Sequence, residues 1–343
     1  MSKSSTHERA AFVDQSYARR CILTVGLSAL GVAVLATSCT TSQPAQMPAA
    51  PLPTASSAPA PVPAAPHGLV VPPNGGERFT YCARPLTLML KVDSVSAPVT
   101  QLVAGTGSIT GDEGVGRHRT AEEVVYVRSG WGYAVFAADT QRLAAGSVVY
   151  VPPGVSHRFI SAGAAPLEYF WVNGPATSGA AFRRAASIGC PGGPPATVSA
   201  PVADTVRTRA LVLPPGDGER ITYCLFPLTI TPKVDSQSIP STRLLAATGA
   251  LRRGSEIGTH TVDEVVLITH GHGRAFSGPD TVAVEEGSIT WTPRGLRHGF
   301  INDGDGTLEY FIVYGPYPGA RSRAGFRSLA RRPGPFCPSG SPP

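Results

Sequence analysis

The sequence predicts an all-β protein made of two tandem copies of one small β-barrel or sandwich domain, preceded by an export signal and a tether. Three observations carry that expectation: a long internal duplication, short apolar or alternating runs broken by Gly and Pro, and a composition poor in charge. Of 343 residues, 38 are Gly and 34 are Pro, and only 15% are charged. That balance belongs to turn-rich β proteins rather than to helical bundles. The length allows two ordinary domains with sizeable cores.

The duplication comes first. "VVPPNGGERFTYCARPLTLMLKVDS" from Val70 matches "VLPPGDGERITYCLFPLTITPKVDS" from Val212, and "PLEYFWVNGP" from Pro166 matches "TLEYFIVYGP" from Thr307. Evenly spaced short runs with turn residues between them predict strands and hairpins in each copy. The expected layout is a signal over 1–39, a linker over 40–68, an N-terminal barrel over 69–200, a C-terminal barrel over 208–337 and a tail over 338–343.

The N-terminus reads as a targeting segment. Arg19 and Arg20 precede an apolar run from Ile22 to Ala36, which is shorter than the roughly 20 residues of a spanning helix and fits a secretory signal. Its end, "LATSC", resembles the lipobox of bacterial lipoproteins, which implies lipidation of Cys39 and a membrane anchor. "ARRCIL" resembles a twin-arginine signal; an ordinary export signal holding two Arg is the competing reading. The Pro/Ala/Ser-rich stretch after Cys39 is a semi-extended tether. The expected location is therefore outside the cytoplasm, lipid-anchored or secreted.

The net charge is +6. The one basic cluster, "ARSRAGFRSLARRPG" from Ala320, reads as a solvated tail, and no basic run interleaved with aromatics points to nucleic acid. Cys21 and Cys39 belong to the signal, leaving four cysteines, which allow three pairings. Each copy owns one early and one late Cys, so Cys82–Cys190 and Cys224–Cys337 are expected in an oxidising compartment.

The chemistry lies in two repeated stretches. The first reads Gly116-Arg117-His118, four residues, Glu123, six residues, Gly130; its counterpart reads Gly258-Thr259-His260, three residues, Glu264, six residues, Gly271. The second reads "GSVVYVPPGVSHRFIS" from Gly146 and "GSITWTPRGLRHGFIN" from Gly287. A Glu beyond a turn returning on an adjacent strand, and a His after a Pro-x-Gly turn (Pro152 to Gly154, Pro293 to Gly295), would converge ligands on one interior point. Imidazole with carboxylate suits Fe, Mn, Ni, Cu, Co or Zn.

Both stretches resemble the two motifs of the cupin family over residues 69–337. The resemblance implies a bicupin of two jelly-roll barrels and a small-molecule substrate or ligand. It departs from the family where Gly116 and Gly258 stand in place of the first His, and where Ser161 replaces the final Asn that Asn302 keeps. The metal ligands it implies are His118, Glu123 and His157, then His260, Glu264 and His298, around a divalent transition metal (Fe, Mn, Ni, Cu or Zn); hydrogen-bonded pocket histidines without metal are the plainer reading. Glu123 and Glu264 are also candidate proton carriers. Glu122, one place earlier, is the alternative to Glu123. The second copy, with the complete second motif, is slightly favoured as the active one.

Smaller features read blandly. His270 and His272 flank a turn at Gly271, Arg117 and Arg119 point away from the face of His118, and Trp131, Trp171 and Trp291 are packing or rim residues. No phosphate-binding Gly loop, HExxH or nucleophile elbow is present. Three functions follow: a metal-dependent, dioxygenase-like oxidoreductase; a non-catalytic ligand-binding lipoprotein; or a metal-free isomerase or epimerase. A monomer is the expected state, because two barrels in one chain can pair with each other.

Overall fold

The computed structural model describes residues 67–136, 139–193 and 209–337. The signal, Cys39, most of the linker and the tail at 338–343 lie outside these residues. No helix among the described residues is long and apolar enough to cross a membrane.

The chain folds as two barrels, each a seven-stranded sheet facing a four-stranded one. In the N-terminal barrel, Glu122–Ser129 and Leu167–Gly174 lie at the centre of the large sheet, and Ser156–Ser161 at the centre of the small one. Their C-terminal counterparts are Asp263–His270, Leu308–Gly315 and His298–Asn302. Alternation puts one face of each strand inside: Leu88, Val125, Phe159 and Trp171 fill the first barrel, and Ile230, Val266, Phe300 and Tyr310 the second.

The central strands of the large sheets are buried on both faces, which explains their near-continuous apolar sequence. Their outer faces pack barrel against barrel: Val124, Tyr150, Phe170 and Val172 meet Val265, Trp291, Phe311 and Val313. Tyr126 stacks on Phe311 with centroids 4.8 Å apart.

The sequence boundaries do not coincide with the barrels. The strand Leu69–Val71, placed at the start of the N-terminal domain, pairs antiparallel with Ile289–Thr292 of the C-terminal barrel. Reciprocally, Leu211–Leu213 pairs with Val148–Val151 of the N-terminal barrel. Each repeat thus lends its first strand to the other. Both arms are short apolar triplets whose sequence is compatible with either edge, so the exchange left no local signal.

Each barrel is closed at one end by a short helix, α1 (Ala180–Ala186) and α2 (Ala324–Ala330). Arg183 on α1 binds Glu77 at 2.6 Å and Asp93 at 2.9 Å. Arg327 on α2 binds Glu219, and Arg323 binds Asp235 at 2.7 Å. The basic stretch read as a solvated tail is therefore partly a pinned helix, its Arg neutralised by carboxylates that the duplication supplies. Disulfides Cys82–Cys190 and Cys224–Cys337 fasten the segment after each helix to its barrel, and such bonds belong to an oxidising compartment.

Candidate metal centres

Two three-residue groups, His118–Glu123–His157 and His260–Glu264–His298, each bring three ligand atoms within 4.8 Å of one another. The ligands come from facing sheets, not from adjacent strands as the spacing suggested. Glu123 lies on the large sheet, opposite Val151 and Asn173. His157 lies on the small sheet, opposite Gly116 and Phe136. The strand Gly116–Arg117 belongs to the small sheet, and the four residues after His118 cross to the large one.

The Pro-x-Gly turns have a specific task. Gly154 N donates to the carbonyl of His118 at 2.7 Å, and Gly295 N to that of His260 at 2.7 Å. Both glycines sit at φ 81, a conformation that a side chain would strain. The turn that aims His157 or His298 thus also anchors the other histidine.

In the first barrel, Glu123 Oε2 stands 3.0 Å from His157 Nε2 and 3.5 Å from His118 Nε2. In the second, Glu264 Oε2 is 3.1 Å from His298 Nε2 and 3.3 Å from His260 Nε2. Ligand atoms bonded to one ion at about 2.1 Å stand about 3.0 Å apart at right angles and about 3.4 Å apart at tetrahedral angles. His157 Nδ1 faces the carbonyl of Val155 at 3.2 Å, and His298 Nδ1 faces that of Leu296 at 2.8 Å. A carbonyl only accepts, so Nδ1 carries the hydrogen and each neutral imidazole turns the Nε2 lone pair toward the carboxylate.

A lone pair against an anionic oxygen is repulsive unless a proton or a cation lies between them. Glu123 Oε2 is buried without an aligned hydrogen bond despite its two close nitrogens, whereas His298 and Glu264 align well enough to share one. The donor set therefore fits a divalent transition metal in both barrels. With protons alone, burial disfavours the charges, yet the imidazoles hold Glu123 and Glu264 well below the usual carboxylate range. Likewise burial opposes the charge on His298, but Glu264 lifts it to about 9, and Glu123 raises His157.

Glu122 is not in the group. It faces the other barrel, accepting hydrogen bonds from Thr242 Oγ1 at 2.6 Å, Arg243 N at 2.9 Å and Tyr150 Oη at 3.2 Å. Asp263, its counterpart, accepts from Gln101 N at 2.8 Å. Adjacent acids on one strand point to opposite faces, which separates a site residue from an interface residue. His270 and His272 are exposed, and Trp131 stays at the surface while Trp171 and Trp291 are buried.

Sequence reasoning missed two acids, Glu113, which is buried, and Glu256, which is half-buried. Glu113 accepts from Phe159 N at 2.9 Å and Tyr169 Oη at 2.9 Å; burial pushes it up to about 7, against the pull of His157. Glu256 pairs in register with Phe300, Phe159's counterpart, and burial with the nearby Glu264 pushes it up to about 8. Both precede the first motif at unequal distances, which hid their equivalence.

A cavity of about 310 Å³ reaches the first group; Glu113, Trp171, Asn173 and α1's Phe182 line it, with Arg84 and Arg117 at its rim. Another, of about 320 Å³, reaches Glu264 and His298 from the flank beneath the exchanged arm Gly68–Val70. On the helix side of the second barrel, Tyr314 stands edge-on over His260, with centroids 4.7 Å apart.

Comparison with known proteins agrees with this architecture. The cupin domain profile matches residues 108–173, and that of the AraC-like ligand binding domain matches 254–322. No curated protein matches the chain by sequence. Among solved structures, a Pseudomonas aeruginosa protein described as glyoxylate-induced shares 13% identity, with a TM-score of 0.57 over 73% of this chain and 89% of that one. Protein Ylba from E. coli shares 14%, with a TM-score of 0.54 over 73% and 90%. An oxalate decarboxylase from Bacillus subtilis shares 12%, with a TM-score of 0.53 over 76% and 79%. Two repeats of one barrel, each with its His and Glu in the family's two motifs and each matched by a profile of this kind, place the chain in the cupin superfamily as a bicupin.

Proposed function

We propose that this protein is a metal-dependent bicupin enzyme, of dioxygenase-like oxidoreductase type, acting on a small organic molecule outside the cytoplasm. The observation that carries the reading is the pair of buried carboxylates, each flanked by two imidazole nitrogens at metal-ligand spacing. His118, Glu123 and His157 would hold one ion, and His260, Glu264 and His298 the other. When bound, a divalent transition metal supplies Lewis-acid and redox chemistry at positions left open by a three-residue set. The chain's own groups do the rest. Val155 and Leu296 fix the imidazole tautomers, and α1 roofs the first cavity. Glu123 and Glu264 are the candidate proton carriers at the ions, and Glu113 and Glu256, whose carboxyls burial pushes up to about 7 and about 8, are further candidates for that task. The two disulfides favour an exported protein, anchored through Cys39 and tethered by the linker; two barrels that cover each other's large sheets favour a monomer.

The deciding experiment is elemental mass spectrometry of the full chain, exported to an oxidising compartment and purified without chelator or affinity tag. His157→Ala/His298→Ala is measured beside it. Near-stoichiometric Fe, Mn, Ni, Cu or Zn that vanishes in the variant supports the reading. Protein that is metal-free and refuses added metal removes it and leaves a non-catalytic ligand-binding lipoprotein.

A further inference from the structure

Asn173 lies directly opposite Glu123 on the neighbouring strand, so the two side chains share the barrel's inner face. It is 2% exposed, and neither its Oδ1 nor its Nδ2 has a partner. Trp171, two residues earlier and therefore on the same face, is also buried with an unpartnered Nε1. Both line the cavity of about 310 Å³ that holds His118, Glu123 and His157. Buried amides left without partners are rare in folded proteins because they lose hydration and gain nothing. The second barrel has Ile312 and Tyr314 at these positions, with the Tyr314 ring against His260. The polar face is thus a property of the N-terminal barrel alone, although the sequence slightly favours the other.

The unpaired atoms comprise two donors and one acceptor. Arg84 and Arg117, exposed at the rim, add positive charge along the way in, which favours an anion. The acceptor, Asn173 Oδ1, needs a hydroxyl or N–H beside that anion. Leu88, Phe159 and Phe182 supply apolar wall, and the volume suits only a small molecule. We propose that the N-terminal barrel binds a small α-hydroxy carboxylate, its carboxylate taking hydrogen bonds from Asn173 Nδ2 and its hydroxyl donating to Asn173 Oδ1. The proposal deepens the metal-dependent reading only by naming what that barrel takes, and it is tested on metal-free protein as well.

The probes are mandelate, phenylacetate, which lacks the hydroxyl, and benzyl alcohol, which lacks the carboxylate. Each is titrated calorimetrically into the full chain, with EDTA and with zinc. Mandelate should bind at least about tenfold tighter than either relative, since each lost partner leaves a buried group unpaired. Asn173→Leu should weaken mandelate by about tenfold or more and remove most of its advantage over phenylacetate, which loses only the carboxylate contact. It should also raise the Tm of the ligand-free protein and keep its metal content. The near-isosteric Asn173→Asp, which turns a donor into a charged acceptor, should abolish mandelate binding and covers the case in which the Leu variant does not fold. The proposal is overturned if mandelate binds no tighter than phenylacetate, if no probe binds, if either variant binds mandelate normally, or if Asn173→Leu lowers Tm. Loss of metal from Asn173→Leu would make the amide a metal ligand and overturn it too, leaving the metal reading intact. Mandelate binding by a protein that takes no metal would do the reverse.

Discussion

Raising the pH of the metal-free protein from 6.5 to 9 should erase the stability that His298 confers. The histidine is buried, and Glu264 holds its pKa at about 9, above its ordinary 6.5. A group with a raised folded pKa stabilises fully below its unfolded value and loses that contribution as pH climbs through the folded one. At about 1.4 kcal/mol per pH unit, the interval corresponds to at most about 3.5 kcal/mol. The lowered pKa of Glu264 reflects the same contact and is not added; it sets the acid limit, since the stability it carries is full above the ordinary 4.5 and declines as the pH falls from there toward the lowered folded value. Glu256 and Lys91 titrate in the same range. The quantity to read is therefore the Tm difference between the protein and His298→Ala, in which those contributions largely cancel. That difference should be several degrees at pH 6 and shrink steadily toward pH 9. With zinc present it should instead grow with pH, because metal and proton compete for Nε2. A metal-free difference that is flat or increases with pH would refute the reasoning.

Three further outcomes are expected. Glu122→Gln should cost about 2–4 kcal/mol by urea unfolding, since it disrupts a buried carboxylate joining two barrels, while leaving metal content unchanged; Glu123→Gln should do the opposite to the metal. Cys82→Ala/Cys190→Ala opens a closure of 108 residues and should cost about 4–5 kcal/mol in the chain-entropy account, read in the same way. Gly116→His should tighten zinc binding measurably by competition with a chromogenic chelator. A Cβ at Gly116 meets His157 Nε2 at an ordinary 3.4 Å, whereas at Gly258 it meets His260 Nε2 at 3.0 Å, so the same change there should gain less.

The two barrels and their six candidate ligands were legible in the sequence because duplication printed each signal twice and period-2 alternation exposed the strands. Glu113 and Glu256 were not legible, because their spacings to the following His differ by one residue and only the register with Phe159 and Phe300 equates them. Asn173 was visible only as a mismatch, "WVNGP" against "IVYGP"; that its amide stays unpaired depends on the packing of the whole barrel. Glu122 and Glu123 could not be ranked by spacing, since the choice turns on which face of one strand meets the other barrel. The exchanged arms escaped because three apolar residues do not encode a destination.

That exchange sets an order in time. Leu69–Val71 is among the first folded segments to be synthesised, yet its partner Ile289–Thr292 is among the last. At about 5–20 residues per second, the arm waits on the order of ten seconds or more with its backbone unpaired. Meanwhile the N-terminal barrel stands without its own outer strand until Leu211–Leu213 arrives. Both edges are templates for pairing with another chain, so nascent copies crowded on one message are the setting in which this protein is most exposed to misassembly.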